Sequence, residues 1–119
     1  MLEVTLFRDQ RNHLSGLSAR GHTDFAEHGE DIVCAAVSAI LQAARLGLEA
    51  YAGEGLDSRQ GPGELGIDLD EGARAQESVQ AILVTAELAV EHIARRYPDH
   101  VRLQHERVGG TVGSETSGG

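Results

Sequence analysis

The sequence has a single cysteine, no lysine and no pattern typical of an exported protein. Cys34 has no second cysteine with which to form an internal disulfide, so nothing in the sequence indicates an oxidising compartment. No run approaches the length expected of a membrane span, and the N-terminus alternates polar and apolar residues instead of carrying a basic and then an apolar segment. These absences predict a cytoplasmic protein with Cys34 as a thiol or thiolate.

Positive charge is scarce. The chain has 10 basic residues, all of them arginine, against 19 acidic residues, which gives a formal net charge of -9. Such a surface repels a phosphate backbone and attracts a basic peptide or protein, with salt weakening the attraction. We therefore expect no direct nucleic-acid partner and favour a cationic protein segment.

Five segments have the pattern of β-strands. Apolar residues alternate from Leu2 to Leu6, and residues 14–20 follow a polar turn as the returning strand. Residues 56–60 and 65–69 flank the sequence GPGE, which predicts a second hairpin. Val101 and Leu103 indicate one last strand.

Two segments have apolar residues at helical spacing, residues 32 to about 52 and residues 73–96. The predicted order is strand-strand-helix-strand-strand-helix-strand. This order indicates an α/β chain of the α+β type, with an antiparallel or mixed sheet and both helices packed on one face. We expect one domain over residues 1–108 and a flexible Gly/Ser-rich tail over residues 109–119, because the tail has too little apolar content to join a core.

The cysteine lies near the start of the first predicted helix. Asp31 is a suitable N-cap, which would put Cys34 at the third helical position, near unpaired backbone N–H groups that favour a thiolate. The polar segment before the helix is predicted to be a loop that can carry His22 back over the helix terminus. An imidazole in contact with a thiol can take its proton, as in cysteine hydrolases.

Two other interpretations of the same residues remain open. Cysteine is among the most buried residue types, so Cys34 can be a packed core residue. The segment also holds several potential metal ligands, although none of the familiar zinc spacings is present. These potential ligands are His22, Asp24, Glu27, His28 and Cys34.

The motifs G-H-T at 21–23 and A-E-H-G-E-D-I-V-C-A-A-V-S at 26–38 resemble the signature of the ribosomal-processing cysteine protease family. The resemblance extends from Met1 to about Val108. It implies a small bacterial α/β protein, generally homodimeric, that removes a short N-terminal extension from large-subunit ribosomal protein number twenty-seven and so supports ribosome assembly.

Carried over position by position, the resemblance makes His22 the general base and Cys34 the nucleophile. It also associates Gly21, Asp31 and Ser38 with the shape of the site, and it implies that no metal or organic cofactor is needed. The only asparagine, Asn12, lies in the turn between the first two predicted strands, so no third orienting residue is identified and a dyad is expected.

Two further functions compete with cleavage. One is a non-catalytic assembly factor that binds a ribosomal protein, although the complete His22 and Cys34 motif argues against it. The other is a thiol redox sensor, which would need an exposed cysteine and lacks a second cysteine to resolve a sulfenic acid.

Overall fold

The structure is a computed structural model that describes residues 1–21 and 28–109, with the backbone only for residues 28–31. Two predictions consequently fall outside the described residues. They are the loop that holds His22 and all but the first residue of the predicted tail.

The first hairpin forms as the sequence predicts. Strands β1 (Leu2–Arg8) and β2 (Leu14–Arg20) pair in antiparallel fashion. The Asp9 carboxylate closes the turn, because its Oδ1 accepts the backbone N–H groups of Arg11 and His13, each at 2.9 Å. The alternating apolar residues of β1 point into the core and are Leu2, Val4 and Leu6.

Helix α1 (His28–Ala52) follows, and a single 3-10 turn (Gly53–Gly55) ends it where the glycines predicted an end. The helix begins four residues before the predicted Ile32. Its apolar face is buried against the sheet through Val33, Cys34, Val37, Leu41, Ala44 and Leu48.

The second hairpin also forms as predicted, from strands β3 (Leu56–Gly61) and β4 (Glu64–Leu69). Gly63 lies in its turn with a φ of 70°, a conformation that glycine adopts without steric cost. Leu65, Ile67 and Leu69 of β4 are buried.

The predicted single helix over residues 73–96 is wrong, because two helices occupy this region. They are α2 (Glu71–Arg74) and α3 (Glu77–Arg96). The Asp70 carboxylate caps α2 by accepting the Ala73 N–H at 2.8 Å. The helix is then interrupted at Gln76, whose extended backbone (ψ 130°) places it at the N-cap of α3.

The sheet is mixed, with the strand order β3-β4-β2-β1-β5. Strand β5 (Val101–Arg107) pairs in parallel with β1, and the other pairings are antiparallel. The buried side chains of the sheet form one core cluster with α1 and α3, so these helices lie on one face as expected. The predicted fold class is thereby confirmed.

The prediction that no segment approaches a membrane span is wrong by length and composition. The helical stretch Ile32–Gly55 has 24 residues and a mean hydropathy of 1.5, and 33% of its apolar window is buried. One such helix is weak evidence for a span, since core helices of other folds pass the same test. Here α1 packs on the sheet and on α3.

Helix α3 is tied to the sheet by a nearly buried carboxylate, and this tie predicts acid-sensitive stability. Glu87 accepts hydrogen bonds from Arg8 of β1 at 3.0 and 3.1 Å, and His105 of β5 lies 2.9 Å away. Burial raises the pKa of Glu87, but the bonds from Arg8 and His105 outweigh burial and hold the pKa below its ordinary value.

A carboxylate whose folded pKa is lowered stabilises the fold above its unfolded pKa, and this stabilisation is lost as the pH falls through the folded pKa. Glu87→Gln should therefore lower the free energy of unfolding by about 1 to 2 kcal/mol at neutral pH and by progressively less under acid. Urea unfolding over a pH series would measure this. Glu91→Gln, which removes an exposed carboxylate one turn later on α3, is the matched control and should have little effect.

Candidate active site

Cys34 is the seventh residue of α1, and not the third as the sequence predicted. Asp31 lies inside the helix, so its predicted role as N-cap is wrong. Because the dipole effect falls off within the first turn, Cys34 gains less from the helix terminus than predicted. A side chain in this position leans toward the N-terminus of the helix, where the first backbone N–H groups have no intrahelical acceptor.

The Cys34 side chain is 5% exposed and belongs to the apolar core cluster. This burial disfavours the redox-sensor alternative, which requires an exposed thiol. The thiolate is the nucleophilic form of cysteine, so covalent catalysis at this position needs a base that takes the proton.

A groove begins one helical turn beyond Cys34. Cys34, Ser38 and Gln42 are spaced four residues apart and therefore follow one side of α1. Ser38 and Gln42 line a groove of about 140 Å³ between α1 and the second hairpin. Its other lining residues are Leu2, Ala19, Leu41, Gln60, Gly61, Gly63, Glu64 and Leu65.

Two glutamines connect the walls of this groove. The Gln42 Nε2 on α1 donates to the Gln60 Oε1 on β3 at 2.7 Å, which links the helix to the edge strand. The Arg45 Nε donates to the Gln42 Oε1 at 2.8 Å, so the orientation of the Gln42 amide is set from both ends. The groove is therefore held open between two connected walls.

Gly21 lies beside the same groove. Its φ is 99°, and a Cβ built there would overlap the Met1 carbonyl oxygen, so only glycine fits this position without rearrangement. The Gly21 N–H donates to the Gly63 carbonyl at 3.2 Å, and Gly63 lines the groove. The residue immediately before His22 is thus fixed next to the groove that Ser38 lines.

The structure brings Gly21 and Ser38 to one groove and places Cys34 a helical turn from it. His22 and the Asp31 side chain lie outside the described residues. The same holds for most ligands of the metal alternative. In the described part of the chain no group of three or more His, Cys, Asp or Glu residues is arranged to hold a metal ion.

Comparisons with known proteins identify the family of the chain. A family model described as cysteine protease Prp matches residues 1–102. The chain belongs to this family. It is accordingly a cysteine protease, as the sequence predicted.

A curated relative gives the family its biological context. The chain is 29% identical over 107 residues to the ribosomal processing cysteine protease Prp of Bacillus subtilis (strain 168). The alignment covers 87% of this chain and 96% of that protein. The two proteins are therefore similar over nearly their full lengths.

Solved structures share the fold. A crystal structure of SMU.848 from Streptococcus mutans has a TM-score of 0.78 at 28% identity, covering 91% of this chain and 96% of that one. An S. aureus ribosomal processing protease Prp, solved with a covalently linked product peptide, has a TM-score of 0.77 at 25% identity, with coverage of 88% and 99%. The same S. aureus protease with a substrate peptide, at 24% identity and a TM-score of 0.80, supports the fold.

Sequence reasoning missed the far wall of the groove. Gln42 could have been predicted from the sequence, because it continues the four-residue spacing that begins at Cys34. Gln60 and Glu64 come from the second hairpin, and no local pattern connects that hairpin to the cysteine. They meet the helix only through the tertiary fold.

Proposed function

We propose that this protease removes the N-terminal extension of large-subunit ribosomal protein number twenty-seven in the bacterial cytoplasm, with Cys34 and His22 as a catalytic dyad. The observation that carries the dyad is the position of Gly21. It is bonded to the Gly63 carbonyl in the groove that Ser38 lines, so His22 follows directly from a point beside the groove. Cys34 is one turn from Ser38 on the same side of α1.

The mechanism is acyl transfer through a thioester. His22 takes the proton of Cys34, and the Sγ attacks the scissile carbonyl carbon. The imidazolium of His22 protonates the leaving amine, and neutral His22 then activates the water that hydrolyses the thioester. Backbone N–H groups at the N-terminus of α1, toward which a side chain at Cys34 leans, are suitable donors for the oxyanion.

The other three residues that the family resemblance associates with the site have supporting roles in this proposal. Ser38 lines the groove one helical turn from Cys34 and provides a hydroxyl there. Gly21 fixes the direction in which the chain enters His22. Asp31, one turn before Cys34 in α1, shapes the same end of the helix.

Charge and surface composition support the expected partners. A chain with a net charge of -9 attracts a basic ribosomal protein, and association should slow as salt is raised. A homodimer remains part of the proposal. Exposed apolar residues on the helical layer, Ile32, Leu46 and Leu88, are consistent with it.

Cleavage of a peptide that spans the N-terminal extension of the host's own ribosomal protein tests the proposal. We expect the native enzyme to cut it at one bond, as followed by mass spectrometry, and Cys34→Ala to leave it intact. A peptide without the extension is the control. If the native enzyme leaves the full peptide intact under conditions where it binds, the proposed substrate is wrong.

A further inference from the structure

An arginine and two glutamines form a chain of hydrogen bonds at the wall of the groove near Cys34. The Arg45 Nε donates to the Gln42 Oε1 at 2.8 Å, and the Gln42 Nε2 donates to the Gln60 Oε1 at 2.7 Å. Gln42 and Gln60 both line the groove. The chain of bonds therefore runs from α1 to β3 and ends on the Gln60 amide.

The direction of this chain follows from the arginine, because a guanidinium can only donate hydrogen bonds. Arg45 must face the Gln42 oxygen, which leaves the Gln42 nitrogen to face Gln60. That nitrogen in turn needs the Gln60 oxygen as its acceptor. Arg45 is itself held in place, since its side chain is 18% exposed and its guanidinium also pairs with Glu49. The Gln60 Nε2 is therefore the end of the chain.

The Gln60 side chain lies on the α1 side of the sheet. Its bond to Gln42 requires this position. Its register partner Leu65 belongs to the core cluster with α1, and paired residues of neighbouring strands lie on the same side. In the described part of the chain no acceptor takes either N–H of the Gln60 Nε2. The wall of the groove thus offers N–H donors to a ligand.

The floor of the groove favours a peptide as that ligand. Leu2, Leu41 and Leu65 line the groove and are buried, and the groove has a volume of about 140 Å³, enough for one side chain. A side chain that covers these leucines excludes water from the wall, where a hydrogen bond then becomes stronger. A carboxylate would also accept from Gln60, but the net charge of -9 opposes an anion. A main-chain carbonyl is the neutral acceptor that every peptide residue carries.

The distance from the nucleophile limits which substrate residue can reach Gln60. Gln42, its bonded neighbour, is two helical turns from Cys34, about 12 Å along the axis at 1.5 Å per residue. An extended peptide advances about 3.3 Å per residue. The substrate residue beside Gln60 is therefore about three to four positions from the scissile bond.

We propose that the Gln60 amide binds one main-chain carbonyl of the substrate, about three to four residues from the scissile bond, and that Gln42 and Arg45 fix the direction of this amide. The position relative to the scissile bond rests on the proposed function, because it takes Cys34 as the nucleophile. The donor character of the wall rests on the chain of hydrogen bonds alone.

Thioamide substitution tests the proposed bond one atom at a time. The probes are peptides spanning the ribosomal-protein extension, in which one carbonyl oxygen at a time is replaced by sulfur, a weaker acceptor. They are titrated onto the Cys34→Ala protein, which we expect to bind without turnover. At one position in the stated range the thioamide should bind about three- to tenfold more weakly than the parent peptide, the effect of one hydrogen bond.

Variants of Gln60 in the Cys34→Ala background assign this loss. Gln60→Met removes the donors and should abolish the loss at that position only. Gln60→Glu keeps the oxygen that Gln42 bonds but replaces the donors by a second oxygen. It should bind the parent peptide more weakly than Gln104→Glu, the matched control with an equal change of charge on the opposite edge strand β5. A loss that survives Gln60→Met, equal binding by the two Glu variants, or no binding of any peptide would overturn the proposal.

Arg45 acts as a positioning residue, and its role has a separate test. Arg45→Met removes the donor that sets the direction of the Gln42 amide, so the loss caused by the thioamide at the Gln60 position should shrink. Arg45→Lys keeps a group that only donates and should restore the loss. An unchanged loss in Arg45→Met would exclude the role of Arg45 in orienting the amides.

The two proposals can fail separately. If the native enzyme does not cut the extension peptide, the thioamides are placed in a peptide that it does cut, identified by mass spectrometry after digestion of a protein mixture. A loss that depends on Gln60 in that peptide would mean that the proposed substrate is wrong and the carbonyl site stands. Cleavage of the extension peptide with no loss that depends on Gln60 would mean that the function stands and the carbonyl site is wrong.

Discussion

Replacement of either residue of the proposed dyad should abolish or strongly reduce turnover without unfolding the protein. Cys34→Ala removes the atom that forms the thioester, so we expect kcat/KM for the ribosomal-protein peptide to fall by at least about 10⁴-fold. His22→Ala removes the base and acid, for which about 10²- to 10⁴-fold is expected. Because the two residues act as a unit, the double variant should be no worse than Cys34→Ala.

The reactivity of the thiol distinguishes loss of the base from structural damage. With His22 present, iodoacetamide should alkylate Cys34 at pH values well below the ordinary thiol pKa of about 8.5. In His22→Ala the reaction should require higher pH, because the thiol then lacks the imidazole that takes its proton.

His92→Ala is the matched control for the histidine, since His92 is exposed on α3 away from the groove. It should leave both turnover and the alkylation profile unchanged. Alkylation profiles that are the same in the native enzyme and in His22→Ala, with turnover retained, would exclude the dyad.

Local patterns predicted the hairpins well because each is made by neighbouring residues. The predicted second strand, residues 14–20, has the same bounds as β2, although Gly16 and Ser18 contribute little to an apolar strand pattern. The structure gives the reason for Gly16: a Cβ there would overlap the Ile67 carbonyl oxygen of β4. That reason could not be read locally, because β4 comes about fifty residues later.

Helix boundaries were predicted less well, since several residues compete for the same role. Asp31 is a good capping residue, but α1 continues through it to His28. Asp70 does cap a helix, namely α2. The apolar periodicity of residues 73–96 did not reveal that α2 and α3 are separate helices. Periodicity reports which side of a helix is buried, and a single extended residue such as Gln76 does not disturb it.

Sequence reasoning could predict only the helix side of the candidate site. Cys34 and Ser38 share one helix and one motif, so both were predicted as site residues from the sequence. The opposite wall of the groove, with Gln60 and Glu64, depends on where the second hairpin lies relative to α1. That placement is set by the order β3-β4-β2-β1-β5, including the parallel pairing of β5 with β1, and local sequence patterns do not encode it.

Gly21→Ala should be among the most damaging changes of a single methyl group in this chain. A φ of 99° is unfavourable for alanine, and the added Cβ would overlap the Met1 carbonyl oxygen. Relief of this overlap requires the chain to move away from β1 just before His22. We expect a loss of about 2 to 4 kcal/mol in the free energy of unfolding, measured with urea.

Two other glycines separate the causes of this loss. Gly53 has a φ of 58° and no atom within 4 Å of a built Cβ, so Gly53→Ala should show the backbone cost alone, about 1 to 2 kcal/mol. Gly109 has neither the positive φ nor a close neighbour, so Gly109→Ala should be near neutral. The loss of unfolding free energy for Gly21→Ala should exceed the losses for both of these variants. Its turnover should also fall by more than the smaller folded fraction explains, because the residue that follows is His22. Equal losses for Gly21→Ala and Gly53→Ala would show that contact with Met1 contributes nothing, and normal turnover in folded Gly21→Ala would separate this glycine from the active site.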